Sequence, residues 1–114
     1  MITEHIARVC HEANRAYCQA IGDETQVPWD DATPDQRNSC MNGVRFLQEH
    51  PEAGPAATHQ EWVKYKLDEG WKWGPHKNET LREHPCLVPF VELPDTQQAK
   101  DHIFHAIVRT MTAI

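Results

Sequence analysis

Apolar side chains recur at every third or fourth position through the first twenty residues. The residues with this spacing are Ile2, Ile6, Val9, Ala13, Ala16, Tyr17 and Ala20. The spacing places them on one face of an α-helix, and Gly22 supplies the signal that ends it. A chain of 114 residues has the size of one domain, so we expect residues 1–114 to form a single domain with one core.

Two further helices are predicted from their start signals. Residues 33–36, Thr-Pro-Asp-Gln, combine a cap residue, a proline for the first turn and a glutamine that completes a capping box. This helix is expected to end at about Glu49, before a proline. Thr58 and Glu61 have the spacing of a second capping box, which predicts a third helix from Thr58, and Gly70 marks its end.

The segment 71–93 differs from its neighbours because it holds three prolines and one glycine among clustered apolar residues. This composition favours extended segments and turns, with a short β-hairpin. A closing helix is predicted from about Pro94, with an apolar stripe formed by Ala99, Ile103, Ala106, Ile107 and Met111. The fold class is therefore predicted as mainly α, a compact bundle of about four helices with a short extended or β-hairpin segment.

Composition excludes several classes of protein. Apolar residues make up 39% of the chain in runs too short for a membrane span, and the start lacks the pattern of a signal peptide, so we expect a cytoplasmic protein without membrane contact. A formal net charge of −6 argues against binding to duplex nucleic acid. The four cysteines form no CxxC pair and are expected to be buried thiols.

Catalytic and metal sites have little support in the sequence. His102 and His105 have a chelating spacing, but no third ligand follows a metal-binding pattern, so neither a metal nor a cofactor is expected. His84 and Cys86 are separated only by a proline, and residues this close in sequence rarely point at each other; we expect Cys86 in the core and His84 in a turn. With no phosphate-binding loop and no nucleophile elbow, the protein is not expected to be an enzyme.

One face of the third helix combines groups that suit ligand binding. His59, Trp62 and Lys66 lie at positions i, i+3 and i+7, and an imidazole, an indole and an ammonium together can stack on a flat ring and neutralise an anion. The alternative is that Trp62 lies at the edge of the core beside solvated neighbours.

Two more tryptophans, Trp71 and Trp73, follow this helix with Lys72 between them. We expect one indole to face inward and the other outward, and an exposed indole near Lys77 and Arg82 would mark a binding surface for phosphate or carboxylate. The alternative is that these rings complete the core and that the basic residues only increase solubility.

The same residues resemble the signature of the ryanodine receptor (RyR) domain family, over about residues 58–94. The matching positions are His59-x-x-Trp62, Lys66, Gly70-Trp71-x-Trp73-Gly74-Pro75, Lys77, His84-Pro85-Cys86-Leu87-Val88-Pro89 and Leu93-Pro94. The flanking sequences resemble the longer bacterial and phage members. The resemblance implies a helical fold with a small strand pair, no catalytic residues and a crevice for a purine nucleotide or an aromatic ligand. It also implies ligand contacts at His59 and Trp62, while Trp73 replaces a more usual tyrosine and Asn78 a more usual aspartate.

The sequence therefore predicts a non-catalytic, cytoplasmic binding domain of bacterial or phage origin. The expected ligand is an adenine nucleotide or an ADP-ribose-like molecule, with its base on Trp62 or Trp73 and its phosphate on Lys66 and Lys77; the expected site residues are His59, Trp62, Lys66, Trp73 and Lys77. A single copy of the domain is also expected to form a two-fold homodimer with the crevice at its interface. The alternative function is a protein–protein interaction module, in which the same tryptophans contact a protein and no small molecule is bound.

Overall fold

The computed structural model describes residues 2–113, and four α-helices make up most of it. They are α1 (Ile2–Ala20), α2 (Pro34–Glu49), α3 (Pro55–Asp68) and α4 (Asp95–Thr112). Two short strands, β1 (Lys72–Trp73) and β2 (Glu83–His84), pair between α3 and α4, and single 3₁₀ turns lie at Trp29–Asp31 and Phe90–Glu92. This architecture confirms the predicted four-helix fold with a short extended segment.

Consecutive helices run antiparallel, as short connections favour. Thr3 near the start of α1 donates to Gln48 near the end of α2, with 3.4 Å between the two oxygens. Lys66 near the end of α3 lies 3.4 Å from Asp35 at the start of α2, and Arg109 near the end of α4 donates to the carbonyl of Ala53, just before α3. The end of α1, the start of α2, the end of α3 and the start of α4 therefore lie at the same end of the bundle.

The two predicted capping boxes have different outcomes. The first is confirmed, because the Thr33 hydroxyl accepts from the Gln36 amide at 3.1 Å and the Gln36 side chain accepts from the Thr33 amide. The second is wrong, because α3 begins one turn earlier with Pro55 in its first turn and Gly54 as the cap. Proline suits this position since its fixed φ is helical and its missing N–H would have no partner there. Thr58 therefore lies inside the helix, where its hydroxyl donates to the Gly54 carbonyl at 3.1 Å.

Gly70 ends α3 as predicted, with a positive φ of 86°. The Trp71 amide donates to the Lys66 carbonyl at 2.9 Å and the Gly70 amide to the Leu67 carbonyl at 3.0 Å, which is the Schellman arrangement. This turn brings Trp71 back over the last turn of the helix, beside Lys66. Gly22 likewise has a positive φ, of 91°, just after α1.

The strand pair is parallel, in the register Lys72 to Glu83 and Trp73 to His84. The predicted hairpin is therefore replaced by a nine-residue connection, within which Asn78 and Glu83 form an isolated antiparallel bridge. Gly74 is needed beside this pair, because a Cβ there would lie 2.6 Å from the Cβ of Glu83.

The main core lies among α1, α2 and α4. Its buried residues are Ile6, Ala7, Cys10, Trp29, Val44, Leu47 and Val108. Trp29 covers this core from the α1–α2 connection, as predicted. Of the four thiols, those of Cys10 and Cys18 are buried and those of Cys40 and Cys86 are partly buried. Within residues 2–113 no helix is long and apolar enough to cross a membrane.

Candidate functional site

A cavity of about 480 Å³ lies at the end of the bundle where α1 and α3 finish. Its walls come from residues within 10–14 of α1, 35–43 of α2, 58–66 of α3 and 97–104 of α4, together with residues within 71–86 and with Gln26, Thr33 and Leu93. We call it the end cavity. All four helices reach it because of their antiparallel order, and its volume is within the range of about 300–1,000 Å³ that is usual for small-molecule sites.

Four aromatic rings form one continuous wall of the end cavity, which we call the aromatic wall. His59 stacks on Trp62 with ring centroids 5.6 Å apart, and Trp62 meets His84 edge-on at 5.0 Å. His84 in turn lies 6.3 Å from Trp71. Rings so arranged offer both faces and edges to a flat ligand.

Trp71 brings an unpaired donor to this wall. Its side chain is almost buried, at 8% exposed, yet its indole N–H has no acceptor within residues 2–113. A buried donor without a partner costs about 1–3 kcal/mol. The nitrogen itself is almost inaccessible, so the Trp71 ring would have to shift before an acceptor on a ligand could reach it.

His84 is held neutral with a defined proton position. The Cys86 amide donates to Nδ1 of His84 at 3.0 Å, so the ring proton of neutral His84 is on Nε2. Burial, together with the charges of Lys77, Lys66 and Lys100, lowers the pKa of His84 to about 4. The ring therefore presents an uncharged N–H donor at neutral pH.

Four cationic side chains line the end cavity, those of Lys66, Lys77, Arg82 and Lys100. Lys66 is engaged within the protein, with its ammonium 3.4 Å from Asp35 and 5.1 Å from the centre of the Trp71 ring. Lys77 lies 3.9 Å from Glu79, whereas Lys100 has no carboxylate within 4.0 Å in the described part of the chain. Lys77 and Lys100 are therefore the ammonium groups best placed to meet an anion.

Two further polar side chains line the end cavity, the buried His59 and the half-buried Asp101, with 3.8 Å between Nδ1 and the nearer carboxylate oxygen. Nε2 of His59 lies 2.7 Å from the Val88 carbonyl. Burial lowers the pKa of His59 despite this hydrogen bond, and burial raises the pKa of Asp101 to about 7 against the opposing charge of Lys100.

The end cavity brings together four of the five predicted site residues: His59, Trp62, Lys66 and Lys77. Trp73 does not line it and is 56% exposed. The expectation that one indole faces inward and the other outward is confirmed, but the inward one is Trp71. The reason is the turn at Gly70, which fixes Trp71 against Lys66 before the chain leaves the helix along β1.

Among the cavity residues that were not predicted as site residues, His84, Lys100 and Asp101 carry the groups most relevant to binding. His84 was expected in a turn but lies in β2, inside the aromatic wall. Lys100 and Asp101 share a helical face with two other cavity residues, Gln97 and Phe104, at positions i, i+3, i+4 and i+7. That spacing predicts that the four side chains share one face of α4. It does not predict that this face lines a cavity, because polar residues with this spacing usually face solvent.

Within residues 2–113 no group of three or more His, Cys, Asp or Glu side chains could hold a metal ion. A family model described as the RyR domain matches residues 36–114, which is well over half of the chain. The match begins in the first turn of α2 and includes α3, the strand pair and α4, so it covers most walls of the end cavity but not those from α1.

Proposed function

Because the chain belongs to the RyR domain family, we propose that it is a non-catalytic binding domain whose end cavity holds a nucleotide-like small molecule. The observation that carries this proposal is the combination, in one cavity of about 480 Å³, of an aromatic wall and four cationic side chains. A purine ring with a phosphate group needs both, a flat surface for stacking and positive charge for the anion.

The arrangement suggests a role for each group. The base would stack on Trp62, and the N–H group of His84 would donate to an acceptor on the ligand. Lys77 and Lys100 would contact the phosphate. Lys66 would attract the phosphate through its positive charge without contacting it, since its ammonium is already paired with Asp35. Trp73 has no part in this arrangement, because it lies outside the end cavity.

The absence of a catalytic role is also part of the proposal. Cys86 lies two residues after His84, and burial raises its pKa, so it stays protonated and weakly nucleophilic. Nδ1 of His84 accepts from the backbone of Cys86 rather than from its thiol. This geometry lacks the base–nucleophile contact that covalent catalysis needs.

Isothermal titration calorimetry with adenosine, AMP, ADP and ADP-ribose tests the proposal. We expect the phosphate-bearing compounds to bind more tightly than adenosine. Lys77→Gln and Trp62→Leu should each weaken their binding by about tenfold or more, equal to about 1.4 kcal/mol. Trp73→Leu and Lys64→Gln are the matched controls, since both side chains are exposed outside the cavity, and should change affinity by less than about twofold. Absence of heat with all four compounds would contradict the proposal.

A second candidate function, protein–protein interaction, is favoured by a different surface. Trp73 and Leu81 are 56% and 59% exposed, and their segments are joined where the Lys72 amide donates to the Arg82 carbonyl at 2.8 Å. Exposed tryptophan is a common anchor at protein interfaces. A partner that Trp73→Ser releases and Trp62→Leu retains would support this second function.

A further inference from the structure

Asp101 has an unusual environment for a carboxylate in a largely buried position. Its side chain is 18% exposed, and no residue within 2–113 donates a hydrogen bond to it. Its nearest polar neighbour is Nδ1 of His59, at 3.8 Å, which is too far for a direct hydrogen bond. Both side chains line the end cavity.

The proton of His59 is on the nitrogen that faces away from Asp101. A carbonyl can only accept, so Nε2 must carry the hydrogen that it donates to Val88. A second proton, on Nδ1, would make the ring cationic, which its burial opposes. Nδ1 of His59 therefore presents a lone pair, and two hydrogen-bond acceptors face each other without a donor between them.

Two facing acceptors in a buried position are unfavourable until a donor reaches them. In the free protein, burial raises the pKa of Asp101 to about 7, so the carboxyl itself holds a proton at lower pH. In a complex, an N–H or O–H group of the ligand can replace that proton. A ligand without such a group would leave the two acceptors unsatisfied. A binding site with unsatisfied acceptors binds such a ligand much more weakly than one that supplies the donor.

We propose that the Asp101 carboxylate and Nδ1 of His59 select ligands of the end cavity that carry an N–H or O–H donor in addition to their anionic group. This inference rests on the proposed function and deepens it, because it concerns the same cavity. The carboxylate also repels phosphate, so it would orient the ligand with its anion toward Lys77 and Lys100 and its donor toward Asp101.

Calorimetry at about pH 8, where Asp101 is ionised, tests the inference with three probes. AMP carries both kinds of donor, purine riboside 5′-monophosphate lacks the amino group, and 2′,3′-dideoxyadenosine 5′-monophosphate lacks the sugar hydroxyls. We expect one of the two analogues to bind about tenfold or more weakly than AMP. The weaker analogue identifies whether the donor is the amino group or a hydroxyl.

Variants show whether Asp101 is the source of this preference. Asp101→Leu should bind AMP and the weaker analogue within about twofold of each other, and Asp101→Asn, which keeps the shape of the side chain, should reduce the preference. Lys77→Gln should instead weaken all three probes alike. Glu52→Gln is the control, since it removes an exposed carboxyl outside the cavity.

The outcomes separate this inference from the proposed function. Equal affinity of the wild-type protein for the three probes would overturn the inference and leave nucleotide binding intact. A preference that survives in both Asp101 variants would also overturn it. No binding of any probe would overturn both proposals.

Discussion

Lys66 brings a positive charge into a position that is only 7% exposed, and two neighbours make this possible. The carboxylate of Asp35 lies 3.4 Å away, and the ring of Trp71 lies beneath the ammonium at 5.1 Å. Burying an unpaired ammonium would cost several kcal/mol. Lys66 therefore needs these two contacts to stabilise the fold, and its ammonium is not free to bind a ligand. Lys66 was predicted as a phosphate contact. Because its ammonium is already paired with Asp35, Lys77 and Lys100 are better placed for that role.

Two groups of the end cavity give the folded state opposite pH dependences. The pKa of His84 is lowered from 6.5 to about 4, mainly by burial, so the unfolded chain binds a proton there that the folded state lacks. This makes folding more favourable as the pH rises from about 4 to 6.5. The pKa of Asp101 is raised from 3.8 to about 7, again mainly by burial, so the folded state holds a proton that the unfolded chain has lost. This makes folding less favourable as the pH rises from 3.8 to about 7.

Replacing one group at a time should reveal these opposing slopes. Relative to wild type, the unfolding free energy of Asp101→Asn should increase from about pH 4 to 7, whereas that of His84→Gln should decrease from about pH 4 to 6.5. Each slope is at most about 1.4 kcal/mol per pH unit, and smaller because both groups retain some solvent contact. Urea denaturation across this pH range measures the differences. Parallel curves for the three proteins would contradict the prediction, and the opposite signs make each variant a control for the other.

Among the elements, the helices were predictable because their signals are local. The box at Thr33, the glycines after α1 and α3, and the apolar spacing of α1 and α4 each lie within a few residues of the feature they specify. The start of α3 was misjudged because two start signals overlap there, and Pro55 with Gly54 prevails over Thr58.

The two threonines should therefore differ in their contribution to stability. Thr33→Ala removes a cap from α2 and should lower the unfolding free energy by about 1 kcal/mol. Thr58→Val keeps the shape of a buried side chain and leaves the Gly54 carbonyl its bond from the Thr58 amide, so it should cost less. Urea denaturation of both variants decides the point. A larger loss for Thr58→Val would show that its hydroxyl, rather than the helix start, determines stability here.

The end cavity was less predictable than the helices, because contacts between distant residues create it. His59 meets the Val88 carbonyl and Asp101, which follow it by 29 and 42 positions. The sequence identified the composition of the site through its tryptophans and lysines. It could not tell which indole faces inward, since the turn at Gly70 decides this, or that a face of α4 turns Asp101 toward the cavity.

At the scale of the whole molecule, the two ends of the bundle differ in how fully their polar groups are paired. Opposite the end cavity, the Arg109 guanidinium donates to the carbonyls of Leu47, His50 and Ala53, where α2 ends and α3 begins. His105 also contacts the Ala53 carbonyl, at 3.1 Å. This end is closed by hydrogen bonds, whereas the end cavity holds an unpaired indole N–H and an unpaired carboxylate.

A mutation at the end closed by hydrogen bonds should therefore change the stability of the fold without changing binding in the end cavity. Arg109→Met leaves three carbonyls without this donor and should lower the unfolding free energy by about 2–3 kcal/mol. If the proposed function is correct, Arg109→Met should leave the affinity for AMP unchanged at temperatures where the variant is folded. Arg8→Gln, which removes an exposed ion pair with Asp30, is the control and should cost less than about 1 kcal/mol. Denaturation and calorimetry on the same samples test both parts, and a loss of affinity in folded Arg109→Met would contradict the separation.

The antiparallel order of the helices also brings the start of α1 beside the end of α4. Thr3 meets Gln48, and Arg109 meets the carbonyl of Leu47, so α1 starts and α4 finishes at the same side of the molecule, in neighbouring helices. A short linker between these two helix ends is the geometry that circular permutation requires. A fluorescent reporter or a surface tether attached there would lie on the side of the molecule opposite the end cavity.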